Sequence, residues 1–304
     1  DRRSLIMITM IVLLIPGGCL IPEDPGLTDH ADYLKAHHSW RENRLEYLKG
    51  ADGWLNLAGL FWLDEGANTA GSDPENDVVI PEPLPPYLGT FTLYDGTVEF
   101  RAPAGSEVTH KGTPIREIQM VPDTEGAPTI LAYKHYNWHV INRGNRFGIR
   151  LRNLEHPAIH ELDSIPCFPP NLDWRIPATL YPLEESYNIK INNVLGQVEI
   201  HSVPGVLEFT IGKTLYALYP LGTPPDLWVV FADSTSAFET YGGGRFLELE
   251  YGQDDHMYII DFNRAYNPPC AFTPFATCPL PPRENIMDIE IKAGEKKPGL
   301  HFHH

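Results

Sequence analysis

The stretch Phe91-Thr92-Leu93-Tyr94-Asp95-Gly96-Thr97-Val98-Glu99-Phe100 decides the fold class. Two runs with a period of two flank Asp-Gly, a dipeptide suited to a tight two-residue hairpin turn. Further strand-like runs follow at 130–141, 146–152, 187–192, 196–202, 205–211, 214–220, 226–232, 245–251, 256–263 and 286–292. Most are separated by short turns containing glycine, proline or aspartate. Runs spaced in this way without intervening helices predict antiparallel sheets in a barrel-like or sandwich-like arrangement. The 29 prolines and 25 glycines agree with a chain that turns often. One helix is expected, over residues 29–49, with Leu34, His37, Trp40 or Arg41, Leu45 and Leu48 on one face and Gly50 ending it. This helix is expected to pack on a sheet. The fold class is therefore mainly β with one N-terminal packing helix. Residues 29–304 read as a single domain of two β-rich halves, with a soft boundary near residues 165–174.

Forty acids against 23 bases give a formal charge of -17. Such a surface repels phosphate backbones, and no basic patch interleaved with aromatics offsets it, so a nucleic-acid partner is not expected. A hydrophobic fraction of 42% is enough for a substantial core.

Arg2 and Arg3 precede the apolar run Leu5 to Ile15, followed by Pro16-Gly17-Gly18-Cys19. A helix of that run rises only ~16 Å, against ~30 Å for a bilayer core, which suits a signal peptide and not a span. The small pair before Cys19 resembles the lipobox of bacterial lipoproteins. That resemblance implies a signal peptide over residues 1–18, lipidation at Cys19 and a tether over residues 19–28. The expected location is the bacterial cell envelope, with membrane contact through the lipid alone. Export also allows disulfides, and Cys270 and Cys278 are the candidate pair.

Six separated motifs carry a second resemblance: Gly53 to Leu63, Gly71-Ser72-Asp73, Arg146 to Arg150, Phe231 to Ser236, Thr240 to Leu247, and Asp261 to Cys270. Together they resemble the bacterial and archaeal family called domain of unknown function 1684 (DUF1684), over about residues 38–296. Cys167 stands where that pattern has an aromatic. The resemblance implies no activity, so the candidate chemistry rests on the residues themselves.

Strand alternation places Arg264 on the apolar side of its run, beside Tyr266 and Asn267, and a buried guanidinium requires acceptors. Arg264, Asn267 and Cys270 are thus candidate ligand-binding residues, with Tyr241, Arg245 and Asp233 at the rim. Arginine tied to loop carbonyls is the plainer alternative. Arg146 and Arg150 share a strand face and would suit a carboxylate, although surface charge also explains them. His135 and His139 lie ~13 Å apart along a strand, too far to chelate one ion, and no metal site is expected. The Gly242-Gly243-Gly244 turn lacks the lysine and helix of a phosphate loop. No cofactor follows from these motifs. The expected function is a pocket in the C-terminal half for a small anionic or carbonyl-bearing molecule. The alternatives are an enzyme of unassigned reaction using the Arg264, Asn267 and Cys270 loop, or a purely structural envelope lipoprotein.

Overall fold

The computed structural model describes residues 30–299 except 82, 145, 253 and 255. The signal peptide, Cys19, the tether and the terminal histidines lie outside the described residues.

The chain is mainly β, in four sheets that do not close into a barrel. In the N-terminal half a six-stranded sheet runs Leu57–Trp62, Arg146–Asn153, Tyr136–Arg143, Leu131–Tyr133, Thr109–His110, Thr113–Pro114. A five-stranded sheet faces it: Val78–Val79, Gly66–Gly71, Gly89–Tyr94, Thr97–Arg101, Glu117–Met120. Tyr94 pairs with Thr97 across the Asp95-Gly96 turn, where both turn residues have positive φ (48° and 74°), as a type I′ turn requires. The resulting register sends Phe91, Leu93, Val98 and Phe100 inward against Trp138, Val140, Ile149 and Leu151 of the facing sheet. All neighbouring strands are antiparallel except Gly66–Gly71 and Val78–Val79, which run parallel.

The C-terminal half is built on a long hairpin, Arg175–Asn192 with Val198–Ile211. The strand-like runs 187–192, 196–202 and 205–211 cover only part of this hairpin. Pro177 sits in register opposite Ile259, Pro182 pairs with Gly205, and an irregularity between Pro182 and Tyr187 absorbs the strain. Thr214–Leu218, Met257–Asp261 and Glu250–Tyr251 complete this sheet. A three-stranded sheet, Leu221–Thr223, Asp226–Phe231 and Arg245–Glu248, lies against it. Its alternation serves two sides: Val229, Phe231 and Leu247 enter the core of the long sheet, whereas Val230 and Phe246 face a second cluster with Ile189, Ile191 and Cys278.

Two expectations are corrected. Residues 286–292 form no strand, because their polar backbone is bound to the loop after Phe231. Met287 N–H donates to Ala232 O (2.8 Å), Ser234 N–H to Ile289 O (2.8 Å), and Ile291 N–H to the Asp233 carboxylate (2.7 Å). The helix His30–Lys49 lies on the irregular C-terminal segment and not on a sheet. Its buried residues are Tyr33, His37 and Leu48, whereas Leu34 is exposed. Tyr33 donates to Asp261 (2.9 Å), His37 Nε2 contacts Asn263 O (3.0 Å), and Arg44 reaches Asn267 O (2.9 Å) and Glu295 (3.2 Å). Polar anchoring joins apolar packing on that helix face, where Leu45 and Leu48 meet Leu55, Leu162, Ile165 and Phe272. No helix among the described residues is long and apolar enough to cross a membrane.

Candidate functional site

The strand Arg146–Asn153 alternates strictly. Ile149 and Leu151 face the N-terminal core, so Arg150 and Arg152 point away from it, toward Trp54 and the C-terminal half. Their guanidinium carbons lie 5.6 and 6.0 Å from the Trp54 ring, within cation–π range. Burial removes both from water, and their partners then differ. Arg152 donates to Gly53 O and to Asn56 Oδ1 (2.6 Å). Nearby Arg143 is fully engaged, with Asp123 (3.0 and 2.7 Å) and Thr277 (3.0 Å).

Arg150 is only 4% exposed, and no acceptor among the described residues takes a hydrogen bond or an ion pair from it. The nearby carboxylate that favours its charge, Asp123, is already occupied by Arg143 and the Asn142 N–H. Burial first, then the Arg143 charge, brings the Arg150 pKa down to about 10, so the cation persists at neutral pH. Across the strand pair His139 faces Arg150 in register. Burial, aided by Arg150 and Arg152, lowers its pKa to about 4 and keeps it neutral. His139 is buried.

Arg150 lines a cavity of about 470 Å3, a volume suited to a small organic molecule. The apolar walls include Trp54, Trp228, Phe246, Ile191 and Leu221, with Cys278 at one side. Asn142, Asn193 and the Glu199–His201 pair (3.3 Å) also border it. The cavity thus draws on both halves: Arg143 and Arg150 come from one, Phe246 and Cys278 from the other. Such a site offers one cation, Arg150, without an acceptor among the described residues, and an aromatic enclosure.

The residues expected from sequence are dispersed. Arg245 and Asp233 form an ion pair (3.2 Å) with side chains 1% and 0% exposed, and Arg245 also donates to Ile291 O (3.1 Å) and Ala293 O. Burial lowers the Arg245 pKa while Asp233 opposes that shift. Asn267 is fully buried and lines neither this cavity nor its neighbour. Its amide donates to Lys296 O (2.8 Å) and its backbone N–H to Glu295 (2.6 Å). Arg264 does not follow strand alternation, since residues Phe262–Arg264 form a 3-10 turn. It reaches a separate cavity and pairs with Glu250 (2.9 Å). Tyr241 donates to Cys270 O (3.2 Å), and burial pushes its pKa up to about 12.

Cys270 and Cys278 are free thiols with reciprocal N–H to sulfur contacts of 3.0 and 3.3 Å. Burial pushes the Cys278 thiol up, whereas the hydrogen bond from Cys278 lowers Cys270. Cys167 is pushed up to about 11 by burial. Gly244 has φ +83°, and a Cβ there would meet Phe231 O at 2.6 Å, so the glycine turn serves close packing. Among the described residues no three His, Cys, Asp or Glu gather into a metal site.

Arg150 was noted in the sequence only as a partner for Arg146. The structure separates them: Arg146 is exposed and stacks on Trp62, with 4.3 Å to the ring. The usable signal was the alternation Ile149-Arg150-Leu151-Arg152 within a core strand.

Known proteins bear on the C-terminal half. Residues 160–296 match the family of proteins of unknown function DUF1684. The matched segment is narrower than the motif resemblance and begins after the Arg150 strand. The matched segment contributes Trp228, Phe246 and Cys278 to the cavity. The chain is also similar to an uncharacterized protein of Haloarcula marismortui solved by solution NMR. That protein is 28% identical over 47% of this chain and 80% of its own, with a TM-score of 0.39. No curated protein matches the chain.

Proposed function

We propose that this protein binds a small anionic molecule in the cavity between its two halves, with Arg150 as the anchor. One observation carries the reading: a buried arginine cation lines a ligand-sized cavity without an acceptor. An unpaired buried charge costs several kcal/mol, and a carboxylate or phosphate entering the cavity would offset that cost. Arginine presents a planar fork suited to either group. Trp54, Trp228 and Phe246 enclose the apolar remainder.

The proposed setting is the bacterial envelope, with export directed by residues 1–18 and a lipid anchor on Cys19. Radiolabelled palmitate incorporated by the wild type and not by Cys19→Ser supports that setting; equal labelling of both removes it.

Isothermal titration with a panel of small carboxylates and phosphate monoesters tests the binding reading. Binding of at least one probe, lost in Arg150→Met, is the expected result. Wild-type protein indifferent to the whole panel would leave the structural alternative in its place.

A further inference from the structure

Two further cavities adjoin the Arg150 cavity at Phe246. A second cavity of about 650 Å3 shares Trp54, Phe246 and Pro269 with it. A third, of about 510 Å3, shares Trp228 and Phe246 with the first, and Glu248, Leu249 and Tyr266 with the second. Phe246 lines all three, so they adjoin around its ring, and together they are termed the groove. Its floor is an aromatic row: Trp228 lies 5.5 Å from Phe246, and Phe246 5.9 Å from Tyr266, both edge-on. Strand alternation creates this floor, because Phe246 and Glu248 face outward while Leu247 fills the core.

The charges along the groove divide unevenly. Near Arg264 the cations are answered: Arg44 pairs with Glu295 (3.2 Å), Arg264 with Glu250 (2.9 Å) and Arg175 with Glu250 (2.5 Å). Asp261 adds a further carboxylate, 3.6 Å from Arg264. Glu248 is left over. Its contact is the Tyr266 hydroxyl at 3.4 Å, and Asp226 lines the same section. Neither acid has a cation at ion-pair distance among the described residues. The groove therefore has an unanswered cation at one end and unanswered carboxylates at the other, with aromatic rings between.

We infer that the ligand is an elongated amphoteric molecule, with its anion on Arg150, an apolar middle over Phe246 and an amine at Glu248. This inference rests on the anion reading of Arg150. The probes are ω-amino carboxylates of six, eight and eleven carbons, each beside the unsubstituted carboxylate of equal length, titrated into wild type, Glu248→Gln and Arg150→Met. In wild type, one chain length should favour the amino form relative to Glu248→Gln by ~2–5-fold, the size of an exposed ion pair. Arg150→Met should lose both probe series. If Glu248→Gln leaves the ratio of the two affinities unchanged at every length while binding still needs Arg150, the amphoteric ligand is wrong and the anion site stands. If no probe binds in an Arg150-dependent way, both fall. Glu248 is solvent-exposed, so its variant tests recognition and not folding.

Discussion

Arg245 and Arg150 are both withdrawn from water, one inside the C-terminal core and one between the halves. Arg245 meets a carboxylate and two carbonyl oxygens; Arg150 meets the face of Trp54 and an open cavity. Their difference teaches that burial of a charge does not by itself signal function. A buried arginine whose acceptors are supplied by its own loops is a fastener. One whose acceptors are missing has an interaction still to make. The segments Phe231 to Ser236 and Thr240 to Leu247 belong to the first kind. Their job is to tie the loop after Phe231 to residues 289–293.

The sharpest way to break the contrast is to remove the carboxylate from the satisfied pair. Asp233→Ala leaves Arg245 buried and uncompensated, and urea denaturation should register a loss of ~3–5 kcal/mol. A loss below 1 kcal/mol would mean that the loop carbonyls alone hold Arg245, weakening the distinction drawn from Asp233.

The next effect is pH-dependent and belongs to the Arg150 side. The folded pKa of His139, about 4, lies below its ordinary value of 6.5. The unfolded chain thus binds the extra proton between those values, so stability falls as pH drops from 6.5 toward 4. The difference corresponds to ~3 kcal/mol. Denaturation across that range should show a smaller pH slope in His139→Gln than in wild type. Parallel slopes would place His139 outside the electrostatics of the Arg150 site.

Smaller still, and opposite in sign, is the effect expected of Arg150→Met. Replacing an unanswered buried cation by an apolar chain of similar length should stabilise the unliganded protein by ~1–2 kcal/mol. Destabilisation of that size would mean that Arg150 already has its acceptor, and the two arginines would then be alike.

The cysteines sharpen the same boundary, since Cys278 faces the cavity and Cys270 does not. Thiol titration of exported protein in denaturant reads their state. The disulfide expected from sequence is absent, so Cys167, Cys270 and Cys278 should all react; a single reactive thiol among these three would restore the staple.

Much of the fold was legible locally. Asp95-Gly96 and its flanking alternation specify a hairpin, and residues 29–49 specify a helix, because turn chemistry and periodicity act over neighbours. The long hairpin was not legible. Pro177 and Pro182 look like strand breakers, and whether a proline is tolerated depends on where its missing N–H points. Arg264 was misplaced for a related reason: the capping of residues 262–264 by the Asp261 side chain replaces strand alternation with a turn. Its expected partners, Asn267 and Cys270, then fall in different surroundings.

The sequence by itself determined a mainly β chain, its principal hairpin, its one long helix and an acidic surface. Each follows from composition or from residues close together in the chain. Only the tertiary structure decided which arginine is answered. The acceptors of Arg245 lie 12 to 48 positions away, and the space before Arg150 is bounded by residues from Trp54 to Pro279. Hydrogen-bond satisfaction is a property of atoms brought together by folding, so no local pattern distinguishes a fastener from an anchor.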